Sequence, residues 1–231
     1  ALRTPPAHED IVAEAGQAAS ALGLIDLATA CAERVVLSPR MHVRVRAQIV
    51  RELARLAALD RPSAPGAPPE SAVYTRRMVA TRVEILKRLE GSLASAQRVD
   101  DPQLVTEVAV VMHETLLPLL QPELLGAVHR PLQAAAAALE AIDSPLTQLR
   151  AQLHAELARC EVRAEFLVKA ATQVDKGLAL DLPDAEAQER LRAALRPLAE
   201  RLQLRSDVWA EPEGAVDQAY LRFERARATA E

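Results

Sequence analysis

The chain has 231 residues and a formal net charge of −4, and 50% of its residues are hydrophobic. This apolar content is sufficient for a sizeable core in one or two domains. Aromatic residues make up only 2% of the chain and glycines number 7. A core of Ala, Leu and Val with few aromatics favours closely packed helices over strands. The composition therefore predicts an all-α fold.

The charge pattern argues against a nucleic-acid partner. Lysine occurs only as Lys87, Lys169 and Lys176, and this preference for arginine indicates a GC-rich genome. No run of Arg or Lys stands clear of acidic residues, so the electrostatic footprint of a nucleic-acid-binding protein is not visible.

The cysteines and the apolar segments indicate a reducing, intracellular environment. Cys31 and Cys160 lie far apart and outside any metal-ligand spacing, so we interpret both as core thiols. No stretch approaches the roughly 18 apolar residues of a membrane helix, and a secretory leader pattern is missing. We therefore expect no membrane partner. Since the chain opens with Ala1 rather than Met, we also expect a fragment or a processed form of a longer protein.

Apolar residues at helical spacing predict three short antiparallel helices at the beginning of the chain. The first covers residues 8–22 and stops at Gly23, and the second covers residues 24–37 and stops before Pro39. The third begins near Arg40.

A proline-rich segment follows, with the sequence DRPSAPGAPPES at residues 60–71. Its prolines and glycine prevent regular hydrogen bonding, so we interpret it as a linker or a break. It divides the chain into N-terminal helical hairpins, residues 1–59, and a helical-hairpin array, residues 72–231.

Seven more helices are predicted in this array. Asp101-Pro102 and Ser144-Pro145 are interpreted as an N-cap residue followed by Pro at the first helical position. Pro131 is expected to kink or break its helix. In the helix after Ser144, four side chains are predicted to face the core: Leu146, Leu149, Leu153 and Leu157. The other helices cover residues 72–97, 123–142, 166–180, 184–203 and 213–230.

Two helix ends resemble one another and suggest a repeat. Residues 28–39 end in Leu-Ser-Pro and residues 169–183 end in Leu-Asp-Leu-Pro, each after a helix of small residues. Such endings are typical of the second helix of a tetratricopeptide-like hairpin. We therefore expect antiparallel hairpins stacked as a degenerate tetratricopeptide-like solenoid.

Catalytic, cofactor and metal sites are not expected. His113-Glu114 and His154 with Glu156 lack the HExxH or Glu-x-x-His spacing of metal sites, and we interpret both histidines as half-buried or surface residues. No phosphate-binding loop or nucleophile motif occurs. We therefore predict that the protein is not an enzyme.

Two polar or aromatic features have structural alternatives. His8, Glu9 and Asp10 lie at a helix start, where acidic side chains favour the helix dipole, so capping explains them better than catalysis. Trp209 and Tyr220 are candidate partner anchors, because aromatics are favoured at interface centres. The alternative, which we favour, is that they fill the last helical hairpin.

Residues 115–161, TLLPLLQPELLGAVHRPLQAAAAALEAIDSPLTQLRAQLHAELARCE, resemble the family of cilia- and flagella-associated protein forty-six, and the similarity continues to about Asp181. The resemblance implies a structural scaffold in the central apparatus of the axoneme of motile cilia and flagella, supporting motility. It implies other projection proteins as partners, including a calmodulin-associated one, and indirect contact with the microtubule.

A second hypothesis comes from a different class of protein. The arginine bias and the lack of a clear repeat consensus are also compatible with an all-α ligand-binding or regulatory domain of a GC-rich bacterium. Such a domain should enclose an apolar pocket with a few converging polar groups.

Overall fold

A computed structural model describes residues 6–60, 75–205 and 214–228. Within these ranges every regular element is helical, which confirms the all-α prediction. None of the described helices combines the length and the apolar character needed to cross a bilayer. The helices are α1 (Pro6–Ala21), α2 (Ile25–Val35), α3 (Met41–Asp60), α4 (Arg76–Val99), α5 (Pro102–Leu116), α6 (Leu125–Ala141), α7 (Thr147–Arg163), α8 (Leu167–Leu178), α9 (Ala185–Arg205) and α10 (Ala215–Ala228), with a 3₁₀ turn at Leu117–Leu119.

The chain divides into two compact units. The first runs to Gln121 and includes Ala137–Ile142, and it therefore contains α1 to α5. The second contains Pro122–Ala136 and the chain from Asp143 onward, with α7 to α10.

In the first unit, each helix packs on the next one along the chain, and α1 also packs on α3 and α3 on α5. Small side chains allow α1, α2 and α3 to approach closely. Their shared core consists of Ala13, Ala19, Ala28, Ala32, Val35, Val43, Ala47 and Val50.

The helices on both sides of the proline-rich segment belong to this first unit, where α3 and α4 pack together. Asp60 is the last residue of α3, and residues 61–74 lie outside the described ranges. The linker at 60–71 therefore stays a prediction.

In the second unit, α8 packs between α7 and α9, α7 also reaches α9, and α10 packs on α9. Close approach of the helices is visible at Gly177 of α8. A Cβ atom there would lie 3.0 Å from Cδ1 of Leu195 on α9 and 3.6 Å from Cβ of His154 on α7. The core of this unit contains Ala151, Ala155, Ala158, Ala170, Val174, Leu191, Leu195 and Leu202.

Two predicted helix boundaries are confirmed with their physical cause. Gly23 has φ of 73°, and the N–H of Leu24 donates to the carbonyl of Ala19 at 2.8 Å, which closes the end of α1. Asp101 caps α5, because its Oδ1 accepts the N–H of Leu104 at 3.1 Å and Pro102 occupies the first turn.

Other boundaries differ from the prediction. The helix expected from residue 72 begins at Arg76, since Thr75 has extended backbone and its hydroxyl accepts the N–H of Met78 at 3.2 Å. Pro131 does not break its helix, because α6 continues through it. The proline cannot donate one ladder hydrogen bond, but Pro131 and Leu132 are both buried, and burial of their apolar surface offsets part of that loss.

The Ser144-Pro145 start is also corrected. Helix α7 begins at Thr147, and Leu146 is its N-cap residue without a side-chain cap. The Ser144 hydroxyl accepts the N–H of Leu146 at 3.4 Å, ahead of the helix. Leu146 consequently lies in the connection and is exposed, whereas Leu153 and Leu157 are buried as predicted.

Candidate interaction surfaces

The aromatic side chains lie on the surface wherever the structure describes them. Phe166 is 49% exposed, Tyr220 is 37% exposed and Phe223 is 64% exposed. The buried residues in the described ranges are mainly Ala, Val and Leu. Large aromatics outside such a core are not needed for its packing, and they are well suited to anchor a partner.

Helix α10 carries two of these aromatics on one face. Leu221 is buried, and the Arg196 Nε to Asp217 Oδ1 distance of 2.9 Å joins α9 to α10. Val216, Tyr220 and Phe223 follow at spacings of four and three residues and are exposed. This spacing places all three on one side of the helix, so α10 has a second apolar face in addition to its core contact.

The two predicted anchors differ in what the structure reveals about them. Tyr220 lies on the exposed face of α10, and its role as an anchor stays a prediction. Trp209 lies outside the described residues. The sequence interpretation did not single out Phe223, although its spacing from Val216 and Tyr220 was a visible signal.

A second exposed apolar surface lies at the turn between α7 and α8. Glu165 has φ of 62°, and the N–H of Phe166 donates to the carbonyl of Glu161 at 2.9 Å, so α7 ends in a closed turn. This turn projects Phe166 and Val168 into solvent. The Lys169 ammonium lies 5.0 Å from the centre of the Phe166 ring, within cation–π range.

The two histidines that the sequence analysis considered, His113 and His154, lie partly or fully inside the fold. His154 is buried, which differs from the predicted half-buried or surface position, and its Nδ1 lies 2.8 Å from Oε1 of Gln173. His113 is half-buried, and burial lowers its pKa. In the described part of the chain, His, Cys, Asp and Glu side chains form no group that could hold a metal ion.

Glu9 and Asp10 of α1 bond to the connection between α2 and α3 and to the beginning of α3. Glu9 Oε2 accepts the Ser38 hydroxyl at 2.6 Å, and Asp10 Oδ1 lies 2.9 Å from Nε2 of His42. Arg40 also donates to Asp10. The hydrogen bond from His42, aided by Arg40, lowers the pKa of Asp10. Glu9 and Asp10 thus make tertiary hydrogen bonds, in addition to the favourable position at a helix start that the sequence predicted.

The two thiols lie in different environments. Cys160 is buried, as predicted for a core thiol, and burial with nearby Glu156 and Glu161 raises its pKa to about 11. It is therefore protonated and unreactive at neutral pH. Cys31 is only half-buried, and it lies where α2 approaches Gly16 of α1.

Comparison with known proteins identifies a relative that matches nearly the whole chain. No family model matches the chain. The chain is 34% identical over 224 residues to "Cilia- and flagella-associated protein 46" of Chlamydomonas reinhardtii. This match covers 94% of the chain but only 8% of the much longer relative. The chain therefore belongs to the family of cilia- and flagella-associated protein 46 and corresponds to a small segment of it.

Proposed function

We propose that this chain is a segment of a structural scaffold in the central apparatus of the ciliary and flagellar axoneme. The observation that carries the proposal is the similarity to the algal ciliary and flagellar protein along 94% of the chain. The role is positional: the chain holds neighbouring proteins in place and supports motility without catalysing a reaction.

The packing of alternate helices supports a repeat architecture. Helices α1 and α3 pack together, as do α3 and α5 in the same unit and α7 and α9 in the other. In hairpin arrays, the first helices of successive hairpins contact each other in the same way. We propose that each unit is a degenerate tetratricopeptide-like stack, in which the connecting turns and the terminal helix faces are available to partners.

The exposed aromatics support docking of other proteins. Phe166, Tyr220 and Phe223 provide rigid apolar anchors on open surfaces. The proposed partners are other projection proteins of the central apparatus, including a calmodulin-associated one. Contact with the microtubule is then indirect, and nucleic acid and membrane are not partners.

The alternative of a bacterial ligand-binding or regulatory domain is not favoured, because the relative is an algal protein named for cilia and flagella. Thermal melting with a metabolite library discriminates between the two functions. Stabilisation by a metabolite would favour the ligand-binding domain, because a ligand that binds only the folded state raises its stability.

The test is quantitative detection of the protein in detergent-extracted axonemes, from normal cilia and from cilia that lack the central pair. We expect retention in the first and loss in the second. Equal amounts in both preparations would contradict a central-apparatus location, and absence from both would contradict an axonemal one.

A further inference from the structure

Helices α3 and α4 concentrate positive charge in a chain whose net charge is −4. Together they contain ten Arg or Lys residues and four Asp or Glu residues. The two helices pack on each other within the first unit. The fold therefore brings the positive charges of two separate sequence segments onto one helix pair.

A groove with a volume of about 510 Å³ lies along these two helices, and we call it the α3–α4 groove. Arg44 and Arg88 line it, and its lining contains no acidic residue. Arg88 pairs with Glu84 and lies 3.7 Å from Glu52. Arg44 donates to the Met41 sulfur at 3.2 Å, and a thioether is a weak acceptor. A carboxylate entering the groove would meet a cation that lacks a strong acceptor in the described ranges.

One side of the α3–α4 groove is apolar. Val36, at the end of α2, and Met41 and Val45 of α3 form this side. The neighbouring Leu37 is 90% exposed. A segment that fills the groove must therefore present apolar side chains beside its carboxylates.

Small residues of α4 also line the groove. They are Gly91, Ser92 and Ser95, and the Ser95 hydroxyl donates to the carbonyl of Gly91 at 2.9 Å. A Cβ atom at Gly91 would meet nothing within 4 Å. The space beside Gly91 is therefore open, and a large side chain at this position would occupy part of the groove.

We propose that the α3–α4 groove docks an acidic amphipathic helix of a partner protein. Its Asp or Glu side chains pair with Arg44, and its Leu, Ile or Val side chains pack on Val36 and Met41. A nucleic acid would match the positive charge but would leave this apolar side uncovered. The proposal rests on the scaffold function, since both require a protein partner.

The experiment measures fluorescence anisotropy of a labelled synthetic amphipathic peptide of Glu, Leu and Ala, titrated with the 231-residue chain. A second peptide has Gln in place of every Glu. We expect the Glu peptide to bind at least about tenfold more tightly, with the difference shrinking at high salt.

Two variants test the groove from different sides. Arg44→Glu reverses a lining charge, and Gly91→Phe fills the groove from a position whose Cβ has free space. Each should weaken binding of the Glu peptide by about tenfold or more. The matched controls are Arg163→Glu, the same charge change in the second unit, and Gly91→Ala, which adds only a methyl group. Both controls should bind nearly as the unmodified chain does, and circular dichroism checks the fold of every variant.

Three results would overturn the proposal. The first is no binding of the Glu peptide by the unmodified chain. The second is equal weakening by Arg44→Glu and Arg163→Glu, which would indicate general charge attraction. The third is duplex DNA that binds the groove, loses affinity in Arg44→Glu and displaces the peptide, which would assign the groove to nucleic acid. If Gly91→Phe does not fold, the comparison of Arg44→Glu with Arg163→Glu still tests the groove assignment.

The groove assignment and the proposed ciliary function are contradicted by different results. A chain that is retained in axonemes but binds no Glu peptide removes only the groove assignment. A chain that binds the peptide through Arg44 but is not found in axonemes removes only the ciliary scaffold.

Discussion

Arg88 of α4 lies 3.7 Å from Glu52 of α3, measured from Nη1 to Oε1, and the Glu52 side chain is only 1% exposed. Arg55 donates to the other carboxylate oxygen at 3.3 Å, and Gln48 donates to Oε1. Burial still outweighs these contacts and raises the pKa of Glu52. The contact between α3 and α4 thus includes a carboxylate that the folded chain holds more easily in its neutral form.

Glu52→Gln should change how stability depends on pH. Because folding raises the Glu52 pKa, its contribution is fully present below the unfolded value of 4.5 and is lost as pH rises through the folded value. The free energy of unfolding of the unmodified chain should therefore fall relative to the variant over that range. Urea unfolding at a series of pH values measures this difference. The assigned burial effect would be contradicted if the unmodified chain kept a constant stability relative to the variant, or became more stable relative to it as pH rises.

Asp10→Asn should show the opposite pH dependence. Folding lowers the pKa of Asp10 through His42 and Arg40, so its stabilising contribution is present above 3.8 and is lost as pH falls through the folded value. The unmodified chain should exceed the variant in stability at neutral pH, and the two should converge in acid. The same urea series measures this, and Glu14→Gln is the control, since Glu14 is exposed and lies 3.8 Å from Arg46.

Two helical glycines should respond to alanine in opposite directions. At Gly16, a Cβ atom would lie 3.1 Å from Cβ of Cys31 and 3.6 Å from the carbonyl oxygen of Ala28. An added methyl group would therefore push α1 away from α2. Gly16→Ala should destabilise the chain by about 1–2 kcal/mol, since overpacking outweighs the gain in helix propensity. At Gly91 the added methyl group has free space, so Gly91→Ala should stabilise by about 0.5–1 kcal/mol. Equal effects in urea unfolding would show that the α1 to α2 approach does not limit packing.

Local sequence chemistry predicted the helices well, but it could not rank similar signals. Asp101-Pro102 and Ser144-Pro145 are alike as dipeptides, yet only Asp101 caps a helix. A carboxylate reaches the N–H three residues ahead, whereas the Ser144 hydroxyl is buried and bonds to the N–H of Leu146 two residues ahead. Whether such a residue caps a helix depends on its tertiary burial, and the dipeptide sequence alone does not determine that burial.

The candidate surfaces were harder to predict for the same reason. The positive charges of α3 and α4 are interrupted by acidic residues along the sequence, and only the packing of the two helices brings Arg44 and Arg88 to one groove. Phe223 has the same helical spacing from Tyr220 as a core residue would have. Its exposure depends on which face of α10 packs on α9, and the sequence of α10 alone does not tell whether the face with Leu221 or the face with Phe223 is buried.

Neighbouring substitutions on α10 should separate folding from docking. Phe223→Ser removes an exposed ring, so the free energy of unfolding should change by no more than about 0.5 kcal/mol. Leu221→Ala removes a buried side chain and should cost about 2 kcal/mol or more. If the exposed face of α10 is an anchor, only Phe223→Ser should lose retention on extracted axonemes while keeping its melting temperature. If each variant lost retention only in proportion to its drop in melting temperature, α10 would contribute to the fold and not to docking.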